Sequence, residues 1–310
     1  MLACLFPGQG AQSAGFLHRL PPHPIVQTTL AEASDALSFD VLTIDTPDAL
    51  RSSVAVQVGL VVAGVATARR IAAAGFDIAL TSGLSVGAYA AAVTAGAIAF
   101  ADALRLVAKR AELMERAYPS GYGLSAIDGL TEHEVERLAD AEAAEAGLRI
   151  YVANVNAPRQ IVVTGSDAAL DAFNTRALAA GAHRAKRLDV SVPSHCELLA
   201  DASEELLAYA ADIPLQAPRA VYVGNRTARP LRTAEAIRDD LATNMRHTVR
   251  WFDALTVTIE LGATVLVEAP PGQVLTSIAR IAYPDVTALS ACATPDERLI
   301  PLLERRLGSR

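Results

Sequence analysis

Short apolar runs alternate along the chain with longer segments whose apolar residues recur every three or four positions. The first run, Leu2 to Phe6, predicts a buried strand that enters the loop Pro7-Gly8-Gln9-Gly10-Ala11-Gln12. After the Pro21 to Pro24 break, Ile25 to Leu37 reads as a helix, and Val54 to Ala74 as a long buried one. Asp77 to Ser82 predicts the next strand, and the Ala-rich stretch Ala88 to Ala95 the helix after it. Ala101 to Ala117 is amphipathic. Arg105, Lys109, Glu112 and Arg116 share one face, while Ala103, Leu106, Val107, Met114 and Ala117 share the other. Arg110 falls among the apolar set.

The rhythm changes between residues 121 and 190. Leu124 to Ile127 predicts a strand, then Thr131 to Ala146 a charged helix opened by a Thr131/Glu134 capping box. Leu148 to Val155 is a strand, Asn156 to Arg159 a turn, Gln160 to Thr164 a strand. Ser166 to Ala180 is a helix stopped by Gly181, and His183 to Val190 a last strand. The order β-α-β-β-α-β is that of a ferredoxin-like unit. Strand, loop and helix then resume at Ala220 to Val223, Ala234 to Asn244, Val265 to Ala269 and Gln273 to Ala279. The expected fold is α/β: residues 1–120 and 191–310 around a mainly parallel sheet, with 121–190 an inserted small subdomain.

Composition narrows the function classes. The 310 residues are 52% hydrophobic with a net charge of -7, which leaves no basic surplus for nucleic acid. Cys4, Cys196 and Cys292 lie far apart without metal-ligand spacing, which fits reduced cytosolic thiols and a cytoplasmic protein. The N-terminus lacks the basic start of a secretory signal. The apolar runs Val54 to Ala66 and Val86 to Ala101 are interrupted by Gln57 and Thr94, so they read as buried helices and not as membrane spans. No metal and no permanently bound cofactor is expected.

The candidate chemistry centres on Gly83-Leu84-Ser85-Val86-Gly87. A strand before and a helix after G-x-S-x-G suit a nucleophile elbow, a sharp turn that exposes the Ser hydroxyl. The base has six candidate histidines. His195 has the most suggestive setting, a Pro-Ser-His-Cys junction between strand and helix, whereas His18, His23, His133, His183 and His247 read as surface or satisfied residues. No carboxylate stands in a recognisable strand-end loop. A base oriented by an amide or a backbone carbonyl would suit a transferase. Arg110 needs a partner, either an internal carboxylate or that of a substrate.

Together these segments resemble the malonyl-CoA:acyl-carrier-protein transacylase family over nearly the whole chain. The resemblance rests on Phe6 to Gln12, Gly83 to Gly87, Arg110, Asn156-Ala157-Pro158, Val192 to Cys196, Asn244 to Trp251 and Pro271 to Thr276. It implies an α/β-hydrolase-like large subdomain, Ser85 as nucleophile and His195 as its base. It further implies an oxyanion hole from the Gln9 and Val86 backbone N–H groups, and Arg110 as holder of the malonyl carboxylate. Asn244 would orient the His through its main-chain carbonyl, leaving its side chain unimportant, and Asn156 would line the cleft. Malonyl-CoA would be the donor and a carrier-protein thiol the acceptor.

Leu84 and Ala88 depart from the G-H-S-[LV]-G-E of fatty-acid members. With Leu20 to Pro24 and Ala117 to Gly123, they make the chain similar to the epsilon subunits of malonate decarboxylase. That implies a carrier bearing a phosphoribosyl-dephospho-CoA arm. The alternatives are a transacylase of fatty-acid or polyketide synthesis, a serine hydrolase, or a non-catalytic subunit of a complex.

Overall fold

Leu2–Phe6 is buried at every position, as a central strand of a parallel sheet requires. The computed structural model describes residues 1–308. Its strands are β1 (Leu2–Phe6), β2 (Ile78–Gly83), β3 (Tyr122–Asp128), β4 (Ile150–Ala157), β5 (Gln160–Ser166), β6 (Arg184–Arg187), β7 (Val221–Val223), β8 (Pro230–Leu231), β9 (Val265–Glu268) and β10 (Thr287–Ser290). The α-helices are α1 (Pro24–Leu37), α2 (Ser53–Ala73), α3 (Gly87–Thr94), α4 (Phe100–Ala117), α5 (Glu132–Ala146), α6 (Asp167–Ala179), α7 (Ala200–Ala210), α8 (Ala234–Thr243), α9 (Trp251–Glu260), α10 (Val274–Ala282) and α11 (Asp296–Leu307).

The strands form two sheets. One has the order β10-β9-β1-β2-β7-β8 and is parallel except for the short edge strand β8. The other, β4-β5-β3-β6, is antiparallel and carries α5 and α6, so the β-α-β-β-α-β unit falls within residues 122–187. The Thr131/Glu134 capping box is present. Strand β4 extends to Ala157, so the expected turn at Asn156 to Arg159 shrinks to Pro158-Arg159. The last strand covers Arg184–Arg187, shorter than the stretch from His183 to Val190.

Helix α2 is long and apolar enough to cross a membrane, but 83% of its apolar window is buried inside the protein. It packs against α1, α3 and α4 in the main core. Helix α4 is amphipathic as its sequence predicts, with Leu106, Val107, Arg110 and Met114 all buried. Every sheet position that matters for the site lies at the carboxyl ends of β1, β2 and β7, where an open parallel sheet displays its loops.

Candidate active site

Ser85 stands two residues past the end of β2, and α3 begins at Gly87. The turn between them is tight enough to dictate its glycines. A Cβ on Gly83 would lie 2.0 Å from the Gly87 carbonyl carbon, and one on Gly87 would lie 2.1 Å from Phe6 O. Only glycine lets β2, α3 and the end of β1 approach this closely. Gly8 serves the same end, because its Cβ would meet Leu84 Cδ2 at 2.6 Å. Ser85 itself takes a left-handed backbone, φ 54°, unusual for a residue with a side chain.

His195 reaches Ser85 from the loop before α7. Its Nε2 is 2.7 Å from Ser85 Oγ, and its Nδ1 is 2.7 Å from Asn244 O and 3.2 Å from His247 O. Carbonyls only accept, so Nδ1 carries the proton and Nε2 is free to accept from the hydroxyl. The orienting group is thus a backbone carbonyl, with no carboxylate on the imidazole. Burial, and then the charge of Arg110, push the His195 pKa down to about 4. His247, expected to be a bystander, contributes its main-chain oxygen.

Arg110 is fully buried and has no carboxylate partner among the described residues. Its Nη1 donates to Gln57 Oε1 at 2.5 Å; its Nη2 donates to Ser85 Oγ at 3.2 Å and Asn244 Oδ1 at 3.3 Å. Its Nε has no partner among the described residues. The internal-carboxylate alternative therefore fails, and a cation with unused donors points at the serine. The Asn244 side chain corrects the sequence expectation: its Oδ1 holds Arg110 while its main chain holds His195.

The Gln9 and Val86 backbone N–H groups donate to no acceptor among the described residues, so both are free to receive one. Val86 adjoins Ser85, and Gln9 lies on the loop that Gly8 presses against Leu84. Asn156 is different. It sits on β4, its Oδ1 is buried without a partner, and it bonds to none of Ser85, His195 or Arg110.

Three residues were not singled out as site members by the sequence. Gln57 links Arg110 to Gln9, its Nε2 donating to Gln9 Oε1 at 3.2 Å. Asn225 accepts the Ser85 N–H at 2.8 Å through Oδ1. Asp240 receives the Asn225 N–H at 3.0 Å and the Tyr222 hydroxyl at 2.6 Å. Asp240, Leu241 and Asn244 share the end of α8 and its continuation, and all three touch the site's supports. Leu241 O accepts from Tyr89 Oη of α3 at 2.8 Å.

Two cavities flank these groups. One of about 670 Å³ adjoins Gln9 and is lined by Ser13, Pro119, Tyr122 and Arg187; one of about 360 Å³ adjoins His195, Tyr151 and Thr248. A cavity of about 1060 Å³ lies at the other end of the sheet, against Ile78 and Val221 at the starts of β2 and β7.

The chain that carries this Ser–His pair and buried cation has relatives among known proteins. Residues 4–309 match the acyl transferase domain family. The chain belongs to the malonyl-CoA:acyl-carrier-protein transacylase family. It is 39% identical to a malonyl CoA-acyl carrier protein transacylase of Salmonella typhimurium over 292 residues, covering 92% of this chain and 94% of the relative. The Escherichia coli (strain K12) protein of the same description is 38% identical over the same shares. Among solved structures, the transacylase of Coxiella burnetii superposes with a TM-score of 0.93 at 33% identity, covering 99% of this chain and 98% of that one. A malonyl-transacylase in complex with a type II polyketide synthase acyl-carrier protein gives 0.91 at 34% identity, over 98% and 99%. The chain is accordingly an acyltransferase with the family's mixed α/β fold.

Proposed function

We propose that this acyltransferase moves malonyl from malonyl-CoA to the thiol of an acyl carrier protein through a malonyl ester on Ser85. The observation that carries the reading is Arg110: a fully buried guanidinium with spare donors, 3.2 Å from Ser85 Oγ. A malonyl carboxylate would pair with it, while an acetyl group would leave it unpaired.

His195 Nε2 takes the Ser85 proton as Oγ attacks the thioester carbonyl. The Gln9 and Val86 N–H groups receive the developing oxyanion, each donor contributing on the order of 3 kcal/mol. The imidazolium then protonates the departing CoA sulfur. In the second half the carrier thiol gives its proton to His195 and attacks the ester, and Ser85 leaves reprotonated. All steps use protein groups and two thioesters, with no resident cofactor. Residues 121–190 are taken as the small subdomain, and the setting as cytoplasmic.

Relatives described as acting on acyl carrier protein favour a phosphopantetheine-bearing carrier of fatty-acid or polyketide synthesis over the carrier of malonate decarboxylase. Of the features that suggested the latter, the two beside Ser85 occupy packing positions. Ala88 is buried in the main core, and Leu84 packs into the apolar cluster that contains Leu80 and Trp251.

The deciding experiment offers malonyl-CoA and equal amounts of two carriers, one with phosphopantetheine and one with phosphoribosyl-dephospho-CoA. Mass spectrometry is expected to find malonyl on the first. Malonyl on the second alone, or rapid thioester hydrolysis with neither loaded, would overturn the reading.

A further inference from the structure

We propose that Asn225 and Asp240 are positioning residues for the nucleophile, jointly holding the Ser85 backbone in the turn that aims its hydroxyl at His195. This rests on Ser85 being the nucleophile and goes beyond it.

The sheet brings the two segments together. Strand β7 runs parallel to β2, with Ser82 opposite Val223. Two residues further on, Asn225 stands beside the elbow and its Oδ1 accepts the Ser85 N–H at 2.8 Å. Its amide nitrogen could not do this, since two donors would face each other. The side chain is buried, and its bond to the Ser85 N–H fixes which way the amide faces.

Asp240 in turn fixes Asn225. Its Oδ1 receives the N–H groups of Asn225 at 3.0 Å and Arg226 at 3.4 Å, and its Oδ2 receives the Tyr222 hydroxyl at 2.6 Å. The Asn225 carbonyl is held from the other side by the Arg250 N–H at 2.9 Å. The carboxylate therefore ties the start of the turn after β7 to β7 itself.

The elbow needs this support. A left-handed φ of 54° at Ser85 is unfavourable for a residue with a Cβ, and it persists only where surrounding contacts demand it. The three successive N–H groups of the turn have separate fates. Leu84 N donates to Phe6 O at 2.9 Å, Ser85 N donates to Asn225, and Val86 N is left for the substrate oxyanion. Holding the first two directs the third. Loss of the Asn225 acceptor should disturb Oγ and the Val86 donor together, while Arg110, held by Gln57, still binds the acyl carboxylate.

The test compares Asn225→Leu, Asn225→Asp and Asp240→Asn with the wild-type protein. Single-turnover acylation by malonyl-CoA, thermal midpoint, and malonyl-CoA affinity in a Ser85→Ala background are measured for each. Asn225→Leu is expected to acylate about 10- to 100-fold more slowly, the scale of a small misplacement of a reacting group, with affinity within about twofold. Asn225→Asp keeps an acceptor for the Ser85 N–H and should recover most of the rate. Asp240→Asn should slow acylation less than Asn225→Leu does and shift the Ser85 amide NMR resonance. Should Asn225→Leu not fold, the same rate and affinity in Asp240→Asn decide: slower acylation at unchanged affinity supports the proposal, and a wild-type rate overturns it. A folded Asn225→Leu with the wild-type rate, or an Asn225→Asp as slow as Asn225→Leu, overturns it too. A wild-type protein that forms no adduct at Ser85 removes the nucleophile assignment itself, and this inference with it.

Discussion

Arg110 Nη2 sits 3.2 Å from Ser85 Oγ, so the group that would select the acyl chain touches the atom that would attack it. Arg110→Ala is expected to slow Ser85 malonylation by at least about 100-fold, the scale of removing one partner of a buried charge pair. Acetyl-CoA, which leaves that charge unpaired, should be affected far less. Parallel acylation rates with the two thioesters check this; equal losses would make Arg110 a structural residue only.

Acid sensitivity follows from His195. The neutral imidazole is the form that would accept the Ser85 proton, and burial followed by the Arg110 charge lowers its pKa to about 4. Acylation at limiting malonyl-CoA should therefore hold as pH falls past 6.5, where an unperturbed His would already be protonated, and decline only as pH approaches about 4. In Arg110→Ala the acid limb should move to higher pH. A wild-type limb near 6.5 would contradict the buried geometry.

Gln57 bridges Arg110 and Gln9, at 2.5 Å and 3.2 Å respectively. Gln57→Leu leaves Nη1 of a buried guanidinium unpaired and frees the Gln9 side chain. The expected result is a rise of about tenfold in KM for malonyl-CoA and a smaller effect on acetyl-CoA, with the protein still folded. An unchanged KM would show that Arg110 is held adequately without it.

The elbow glycines tolerate no side chain. Gly87→Ala sets a methyl 2.1 Å from Phe6 O, a backbone atom that cannot turn away. A loss of about 3 kcal/mol or more in urea unfolding is expected, along with loss of acylation. Gly10→Ala would separate space from strain: its Cβ meets nothing within 4 Å, but φ is 121°.

Local pattern carried the sequence reading a long way. Ser85 announced itself because strand, glycines and helix adjoin it in the chain. Arg110 did so because it breaks a helical apolar face, and α5 because its cap lies within four residues. Asn225 and Asp240 gave no such signal, since their meaning lies in contacts to Ser85 and Tyr222 across the fold. Gln57 looked like an interruption of an apolar run; it is a buried polar residue because Arg110 needs it. The orienting partner of His195 is a main-chain carbonyl, which any residue at 244 would supply, so only the family resemblance, and not side-chain chemistry, pointed to it. The Asn244 side chain was set aside for the same reason, although Arg110 uses it.

The last turn of α8, with its continuation to Asn244, holds Asn225, Tyr89, Arg110 and His195 within five residues of chain. Such a segment acts as a unit in positioning the site. Substitutions at 240, 241 and 244 should be strongly epistatic, their combined effects departing from the sum of the single ones. A chimera that imports a relative's residues 221–239 while keeping this turn should fail more often than one that carries residues 221–251 across together.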